Sequence, residues 1–356
     1  MEPVRVLVVD DSAVIRMLLS DLLASDSGIV VAGTAADGKQ ALAAIAKLKP
    51  DLVTLDIEMP VMDGLETLLE IRKLYPRLPV IMVSSFTERG AVATLDALSK
   101  GASDYVTKPS YSKFVEGSRE RVAEDLIRKI KGLCAPPLTR LEPRPLSVSE
   151  ARPLPPRIDV VALGASTGGP RALAALIPLL PSDFPVPVVI VQHMPPMFTR
   201  LLAERLNACA SLEVKEGTEG QKLQSGQVWI APGDRHMTVT RKGREFVLGL
   251  NNSSPENSCR PAVDVLFRSV AQACGANVLA VVLTGMGNDG TRGAAEIHEA
   301  GGQVIVQDEA TSVVWGMPGS VVAARMADLV CPLGAIGQEI VRRASIGREV
   351  GLAAYS

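Results

Sequence analysis

Two α/β domains, each a doubly wound parallel sheet, joined by a proline-rich linker: this is the fold class the sequence predicts. Three observations predict it. The chain has 356 residues, which at roughly 150 residues per domain is too long for one ordinary domain. Seven of its 25 prolines fall in the 23 residues APPLTRLEPRPLSVSEARPLPPR, from Ala135 to Arg157. Proline removes backbone donors and favours extended conformations, so this stretch reads as a semi-rigid linker. On both sides, short and nearly continuous apolar runs alternate with helical patterns, as parallel strands covered on both faces require. The expected boundaries are a first domain over 1–131, a linker over 132–157 and a second domain over 158–356.

In the first domain, apolar runs begin near Val4 (VRVLVVD), Ile29 (IVVAG), Asp51 (DLVTLD), Pro79 (PVIMVSS) and Ala102 (ASDYVTKP). Helical stretches separate them. Ile15, Leu18, Leu19, Leu22 and Leu23 follow the i, i+3, i+4, i+7, i+8 spacing of one helix face. A closing helix is expected from Lys113 to Leu133.

Composition narrows the function classes. At 47% hydrophobic and 21% charged residues, the chain can bury a sizeable core and is not a disordered polypeptide. The first domain carries 17 basic and 19 acidic groups and the second 16 and 18, so neither half has the basic field of a nucleic-acid binder. Five cysteines, widely spaced and without a CxxC pair, fit a reducing cytoplasm better than a disulfide framework or a structural zinc site. The start MEPVR lacks the features of a signal peptide, and no apolar run approaches the ~18 residues of a membrane span. The expectation is a soluble cytoplasmic protein without membrane insertion.

The polar residues of the first domain gather at strand ends: Asp10 and Asp11 after the first, Asp56 the third, Ser84 the fourth and Lys108 the fifth. In doubly wound folds these ends converge on one edge. Three carboxylates there repel one another unless a hard dication such as Mg²⁺ sits among them. A carboxylate beside a metal, a lysine and a hydroxyl can accept a phosphoryl group, so Asp56 would form an acyl phosphate. Residues 1–131 resemble a response-regulator receiver domain through VVDDS, LDIEMPVMDGLE and DYVTKP. The resemblance implies a flavodoxin-like fold, phosphorylation of Asp56 by a histidine kinase, and Mg²⁺ held by Asp10, Asp11 and Asp56. It further implies that Ser84 and Tyr105 relay the change to a surface. The Lys108–Pro109 bond is a candidate cis peptide.

The second domain opens with IDVVAL, then GASTGGP, then a helix. Gly164-Ala165-Ser166-Thr167-Gly168 fits G-x-S-x-G on a strand–turn–helix, the sharp turn that lifts a serine hydroxyl above a sheet and leaves N–H groups for an oxyanion. A phosphate-cradling loop is the other reading of these glycines. Strand Val186–Val191 runs into Gln192-His193, and strand Val278–Leu283 into TGMGNDG, so Ser166, His193 and Asp289 each follow a strand, as a Ser–His–Asp triad requires. All three histidines of the chain, His193, His236 and His298, lie after the linker. His298, between Glu296 and Glu299, reads as a surface residue, and His236 in PGDRHMTV is the rival base. Gly285-Met286-Gly287-Asn288-Asp289-Gly290 also fits G-x-G-x-x-G, with Asp308 where a ribose-binding acid would stand, so a dinucleotide site is an alternative.

Residues 158–356 resemble the catalytic domain of the chemotaxis protein-glutamate methylesterase (CheB) family. The resemblance rests on GASTGGP, VVIVQHMPPMFT, IAPGDRHM, RPAVDVLFRSVA, LTGMGNDGTRGA and WGMPGSV. It implies a Rossmann-like fold in which Ser166 is the nucleophile, His193 the base and Asp289 its orienter, with backbone N–H groups near Thr167 and Met286 for the oxyanion. It implies demethylation of glutamyl esters, deamidation of glutamines, methyl-accepting chemoreceptors as substrates, a chemotaxis histidine kinase as phosphodonor, and no cofactor for the hydrolysis. A phosphorylation-gated adaptor without enzymatic activity, or a dinucleotide sensor, is the alternative function.

Overall fold

The computed structural model describes residues 2–85, 87–108, 118–135 and 157–348. They fall into two compact units divided between Arg144 and Pro145. Most of the span expected to be linker, and the Lys108–Pro109 bond, lie outside the described residues.

In the first unit, β1 (Val4–Val9), β2 (Ile29–Ala35), β3 (Leu52–Asp56), β4 (Val80–Ser84) and β5 (Asp104–Thr107) alternate with α1 (Ala13–Ala24), α2 (Gly38–Leu48), α3 (Gly64–Leu74), α4 (Glu88–Ser99) and α5 (Ser118–Cys134). The strands pair in parallel in the order β2-β1-β3-β4-β5. Each of the first four helices begins on a side chain that caps its free amides: Ser12, Asp37, Asp63 and Thr87. At α3, Glu66 reaches back to the Asp63 amide and completes a capping box, which satisfies two otherwise unpaired donors. Leu126 and Ile130 of α5 are fully buried against Val6, Val8 and Leu19. The closing helix ends one residue beyond its expected limit, at Cys134, and its expected first residues, 113–117, lie outside the described part.

The second unit holds β6 (Val160–Ala165), α6 (Gly169–Leu176), β7 (Val188–Gln192), α7 (Pro196–Cys209), β8 (Glu213–Glu216), β9 (Gln227–Ile230), β10 (His236–Lys242), β11 (Glu245–Asn251), α8 (Val263–Cys274), β12 (Val278–Val282), α9 (Thr291–Glu299), β13 (Gln303–Gln307), α10 (Gly316–Ala323), β14 (Leu329–Cys331) and α11 (Leu333–Ala344). Seven strands form one parallel sheet in the order β14-β13-β12-β6-β7-β9-β8. From β6 the chain first builds outward through β7 and later returns to β12 on β6's other side. The carboxyl ends of β12, β6 and β7 are therefore neighbours, and the order reverses between β6 and β12, where open α/β sheets bind ligands.

Between α7 and α8 four strands follow one another without a helix, and β8 and β9 join the parallel sheet. β10 and β11 form a separate antiparallel hairpin closed by the two-residue turn Gly243-Arg244. Met237, Val239, Val247 and Leu248 of the hairpin are buried, and three of them share a core with α8. That helix buries Val263, Leu266, Phe267, Val270, Ala271 and Cys274, the i, i+3, i+4, i+7, i+8, i+11 face of a helix packed along one side. The hairpin fixes where α8 begins, and the start of α8 matters to the site described next.

Phe267 has no solvent exposure. Phe267→Ala is expected to lower the stability of the second unit by about 3–5 kcal/mol, read as a shift of its unfolding transition in calorimetry of the full chain.

Candidate active site and acidic site

Ser166 stands at the turn between β6 and α6. Its amide donates to the Thr284 carbonyl at 3.1 Å, and its own carbonyl accepts from the Gly169 amide at 2.8 Å and the Gln192 side chain at 2.9 Å. Gly168 holds φ +78° at the N-cap of α6, and a side chain there would meet Val313, so glycine is required on both counts. A Cβ at Gly285 would come within 2.9 Å of the Ser166 Cβ. The loop after β12 therefore presses directly on the serine turn, with Met286 next along it. Thr167 is buried, its carbonyl accepting from the Thr284 hydroxyl at 2.9 Å. The Met286 amide makes no hydrogen bond among the described residues.

His193 follows β7, its amide bonded to the Ala165 carbonyl at 3.2 Å. Its Nε2 and the Asp289 Oδ2 are 2.8 Å apart. Asp289 is almost wholly buried and receives donors on both oxygens. The Val263 amide reaches Oδ2 at 2.7 Å; the Asp264 amide, the Gly290 amide and the Asn257 side chain reach Oδ1 at 3.0, 3.0 and 2.8 Å. The first two amides belong to the opening turn of α8, where unpaired N–H groups favour an anion. Burial acts to raise the Asp289 pKa, but the His193 contact and these amides outweigh it and hold the group below its ordinary value. For His193, burial acts downward, and the bonds to Asp289 and Cys259 prevail, pushing the imidazole up to about 9.

With Asp289 ionised, Nε2 carries the proton and Nδ1 is the basic nitrogen of the neutral ring. Nδ1 faces the Cys259 Sγ at 3.5 Å. Among the described hydrogen bonds, none joins His193 to Ser166, so the structure unites two of the three expected triad residues directly and brings the third to the same sheet edge. Resting sites often close such contacts only with substrate bound.

The other readings meet physical obstacles. His236 has no exposure; its Nδ1 accepts from the Ala262 amide at 3.2 Å and its Nε2 bonds the Ser254 carbonyl at 3.1 Å. Both nitrogens serve the backbone, and none is left for a substrate. His298, expected on the surface, lies on α9 and is partly exposed. In the GMGNDG loop the amide of Gly290, which a dinucleotide phosphate would need, is taken by Asp289. Asp308 accepts from the Thr311 amide and hydroxyl at 3.0 and 2.6 Å, which makes it a loop cap rather than a ribose ligand.

In the first unit, the carboxylate oxygens of Asp10, Asp11 and Asp56 lie within 4.8 Å of one another. Asp10 and Asp56 are buried and Asp11 is exposed. Lys108 Nζ pairs with Asp10 Oδ2 at 2.9 Å and Asp56 Oδ2 at 2.8 Å, yet neither oxygen has a well-aligned hydrogen-bond donor. Burial, above all, pushes the Asp56 carboxyl up to about 6, against the pull of Lys108. An all-oxygen set with under-satisfied buried oxygens fits a hard cation such as Mg²⁺. Ser84 is buried, its hydroxyl donating to the Gly90 carbonyl at 3.1 Å. Tyr105 is buried, with the Lys129 ammonium 5.1 Å from its ring centre.

Three residues with no role in the sequence reading enter the site. Asn257, at φ +52°, donates to Asp264 Oδ2 and to Asp289 Oδ1, each at 2.8 Å. Asp264 is buried and also accepts from the Gly293 amide at 2.7 Å; burial is the main cause that raises its pKa. Cys259 completes the group. The signal for Asp264 was available: an acid in the apolar opening of a helix has to be paired or neutral.

Comparison with known proteins agrees with this layout. Residues 161–340 match the family model for CheB methylesterase, and residues 6–116 that for the response regulator receiver domain. A protein-glutamate methylesterase/protein-glutamine glutaminase of Trichodesmium erythraeum is 47% identical over 350 residues, covering 95% of this chain and 98% of that protein. One from Nocardioides sp. is 52% identical over 354 residues, covering 96% of each chain. The crystal structure of the Thermotoga maritima CheB methylesterase catalytic domain is 44% identical, with a TM-score of 0.51, covering 52% of this chain and 98% of that one. With its fold, its paired His193 and Asp289 and its acidic cluster accounted for, the chain belongs to the CheB methylesterase family and carries a response regulator receiver domain ahead of the methylesterase domain.

Proposed function

We propose that this chain is a phosphorylation-activated serine hydrolase that removes methyl esters from glutamyl side chains of chemoreceptors, releasing methanol, and deamidates glutamines by the same route. The observation that carries the reading is the His193 Nε2–Asp289 Oδ2 bond of 2.8 Å, set at the sheet edge beside a G-x-S-x-G turn. Residues 1–131 act as receiver, 132–157 as linker and 158–356 as catalytic domain. The protein works in the cytoplasm on receptors and takes phosphate from a chemotaxis-type histidine kinase. No helix among the described residues is long and apolar enough to cross a membrane.

The chemistry follows from the residues. The imidazole swings Nδ1 from Cys259 to Ser166 and takes its proton, and Ser166 attacks the ester carbonyl. Amides of Thr167 and Met286 stabilise the oxyanion. Asp289 holds the ring in the tautomer that leaves Nδ1 basic and stabilises the imidazolium that forms. As the C–O or C–N bond breaks, the imidazolium gives its proton to the departing oxygen, which leaves as methanol, or to the departing nitrogen, which leaves as ammonia and, as the poorer leaving group, needs that proton to go. Water then hydrolyses the acyl-enzyme, and the hydrolysis itself needs no cofactor.

In the receiver, Asp10, Asp11 and Asp56 would hold Mg²⁺, which neutralises oxygen charge during phosphoryl transfer. Asp56 accepts the phosphoryl group, Lys108 faces it, and Ser84 and Tyr105 carry the change outward. The effect on the catalytic domain requires that phosphorylation stabilise one arrangement of the chain over another.

Ser166→Ala should reduce methanol release from methylated receptors by about 10⁴-fold or more; a variant that retains most activity overturns the nucleophile assignment. Because His193 must be neutral to act as base and its pKa stands near 9, kcat/KM should climb about tenfold per pH unit through neutral pH and level off above about 9. A profile flat between pH 6 and 8 would contradict this. Asp56→Asn should keep basal esterase activity and lose its stimulation by a small phosphodonor, compared in the same assay. Labelling of the full chain by a serine-reactive phosphonate separates the hydrolase from a non-enzymatic adaptor.

A further inference from the structure

Gln192 ends β7 with its side chain almost wholly buried, and it has no part in the chemistry above. Its Nε2 donates to the Ser166 carbonyl at 2.9 Å and, more weakly, to the His193 carbonyl at 3.4 Å. Two carbonyl acceptors require the nitrogen on that side, so the orientation of the amide is set by its neighbours. One NH₂ group thus joins the backbone of the nucleophile to that of the base.

The amide opposes folding where it stands. Among the described residues its Oε1 is buried without a hydrogen-bond donor, and an unpaired buried polar atom is destabilising. A hydrocarbon side chain of the same shape would avoid that loss. The chain also keeps room for the amide: a Cβ at Gly169, the first residue of α6, would collide with Oε1.

The contact acts on the peptide unit between Ser166 and Thr167. That unit is planar and trans, so its carbonyl and its N–H point in opposite directions. Donors on the Ser166 oxygen therefore fix where the Thr167 amide points. The Gly169 amide supplies one donor at 2.8 Å, and Gln192 supplies the other. Beyond Thr167, the Thr284 hydroxyl donates to the Thr167 carbonyl at 2.9 Å, which holds the following peptide unit. An oxyanion hole works through donors already aimed where charge develops, with no reorganisation during the reaction.

We propose that Gln192 is a positioning residue of the esterase: by fixing the Ser166–Thr167 peptide unit, it aims the Thr167 amide at the developing oxyanion. It acts through the backbone and not on the substrate itself. The inference rests on the reading of Ser166 as nucleophile and of the Thr167 amide as oxyanion donor.

The test compares the full chain with Gln192→Met and Gln192→Leu, both neutral and both without the donor. Outright loss of one oxyanion donor lowers kcat by about 10²–10³, and a misaimed donor should lower it by about 10–100-fold. KM should change by less than about twofold, since the interaction lost is one made in the transition state. The pH profile should keep its midpoint, because no charge near His193 changes. Labelling by a serine-reactive phosphonate, which also places a negative oxygen in the hole, should slow in parallel with kcat. The unfolding transition of each variant should stay close to that of the wild-type chain. Unchanged kcat in both variants, a fall carried by KM, a shifted pH midpoint, or loss of folding in both overturns the role of Gln192. A wild-type chain that neither releases methanol nor takes the label removes the hydrolase reading, and this inference with it.

Discussion

The catalytic unit is organised around one buried anion. Asp289 receives five donors, from two amides of α8, the Gly290 amide, the Asn257 side chain and the His193 ring. An isolated carboxylate at that depth would cost several kcal/mol. The start of α8 makes it stable, and the helix can start there because the β10–β11 hairpin and the central sheet share its apolar face. Removing the carboxylate would leave several amides and an imidazole without a partner at once. The site and the core are one construction at this point.

Sheet order does the remaining positioning. Because β6 lies between β7 and β12, the loops bearing Ser166, His193 and Asp289 emerge side by side, although the residues are widely separated in sequence. Backbone bonds from Ser166 to Thr284 and from His193 to Ala165 tie the three loops together. The receiver uses the same logic on a smaller sheet: Asp10 and Asp56 leave the adjacent strands β1 and β3, Lys108 follows β5 two strands from β3, and the three meet through Lys108 Nζ.

Much of this was legible in the chain. Apolar runs with polar residues at their ends locate parallel strands and the edge where chemistry collects, which is why Asp10, Asp56, Ser166, His193 and Asp289 could be singled out without coordinates. What escaped depends on contacts distant in sequence. The β10–β11 hairpin is buried only in part of each strand and carries polar residues through the rest, a weaker pattern than the continuous runs around it. Asn257 and Cys259 lie in an irregular stretch after β11, where no periodicity indicates which way a side chain faces. His236 illustrates the converse: its neighbours Asp234 and Arg235 suggested a reactive site, and only the structure shows both ring nitrogens held by backbone.

The donors around Asp289 bear on the end of the catalytic cycle as well as its start. A methyl ester or a primary amide enters as a neutral group, and the glutamate that remains is an anion. Asp289, held below its ordinary pKa, stays ionised throughout, so a second negative charge now stands in the site. The opening turn of α8, the natural resting place for a newly formed carboxylate, is already filled from within. The hydrolysed side chain therefore meets repulsion where the substrate met none, and the direction of traffic through the site is set by a charge that never leaves the protein.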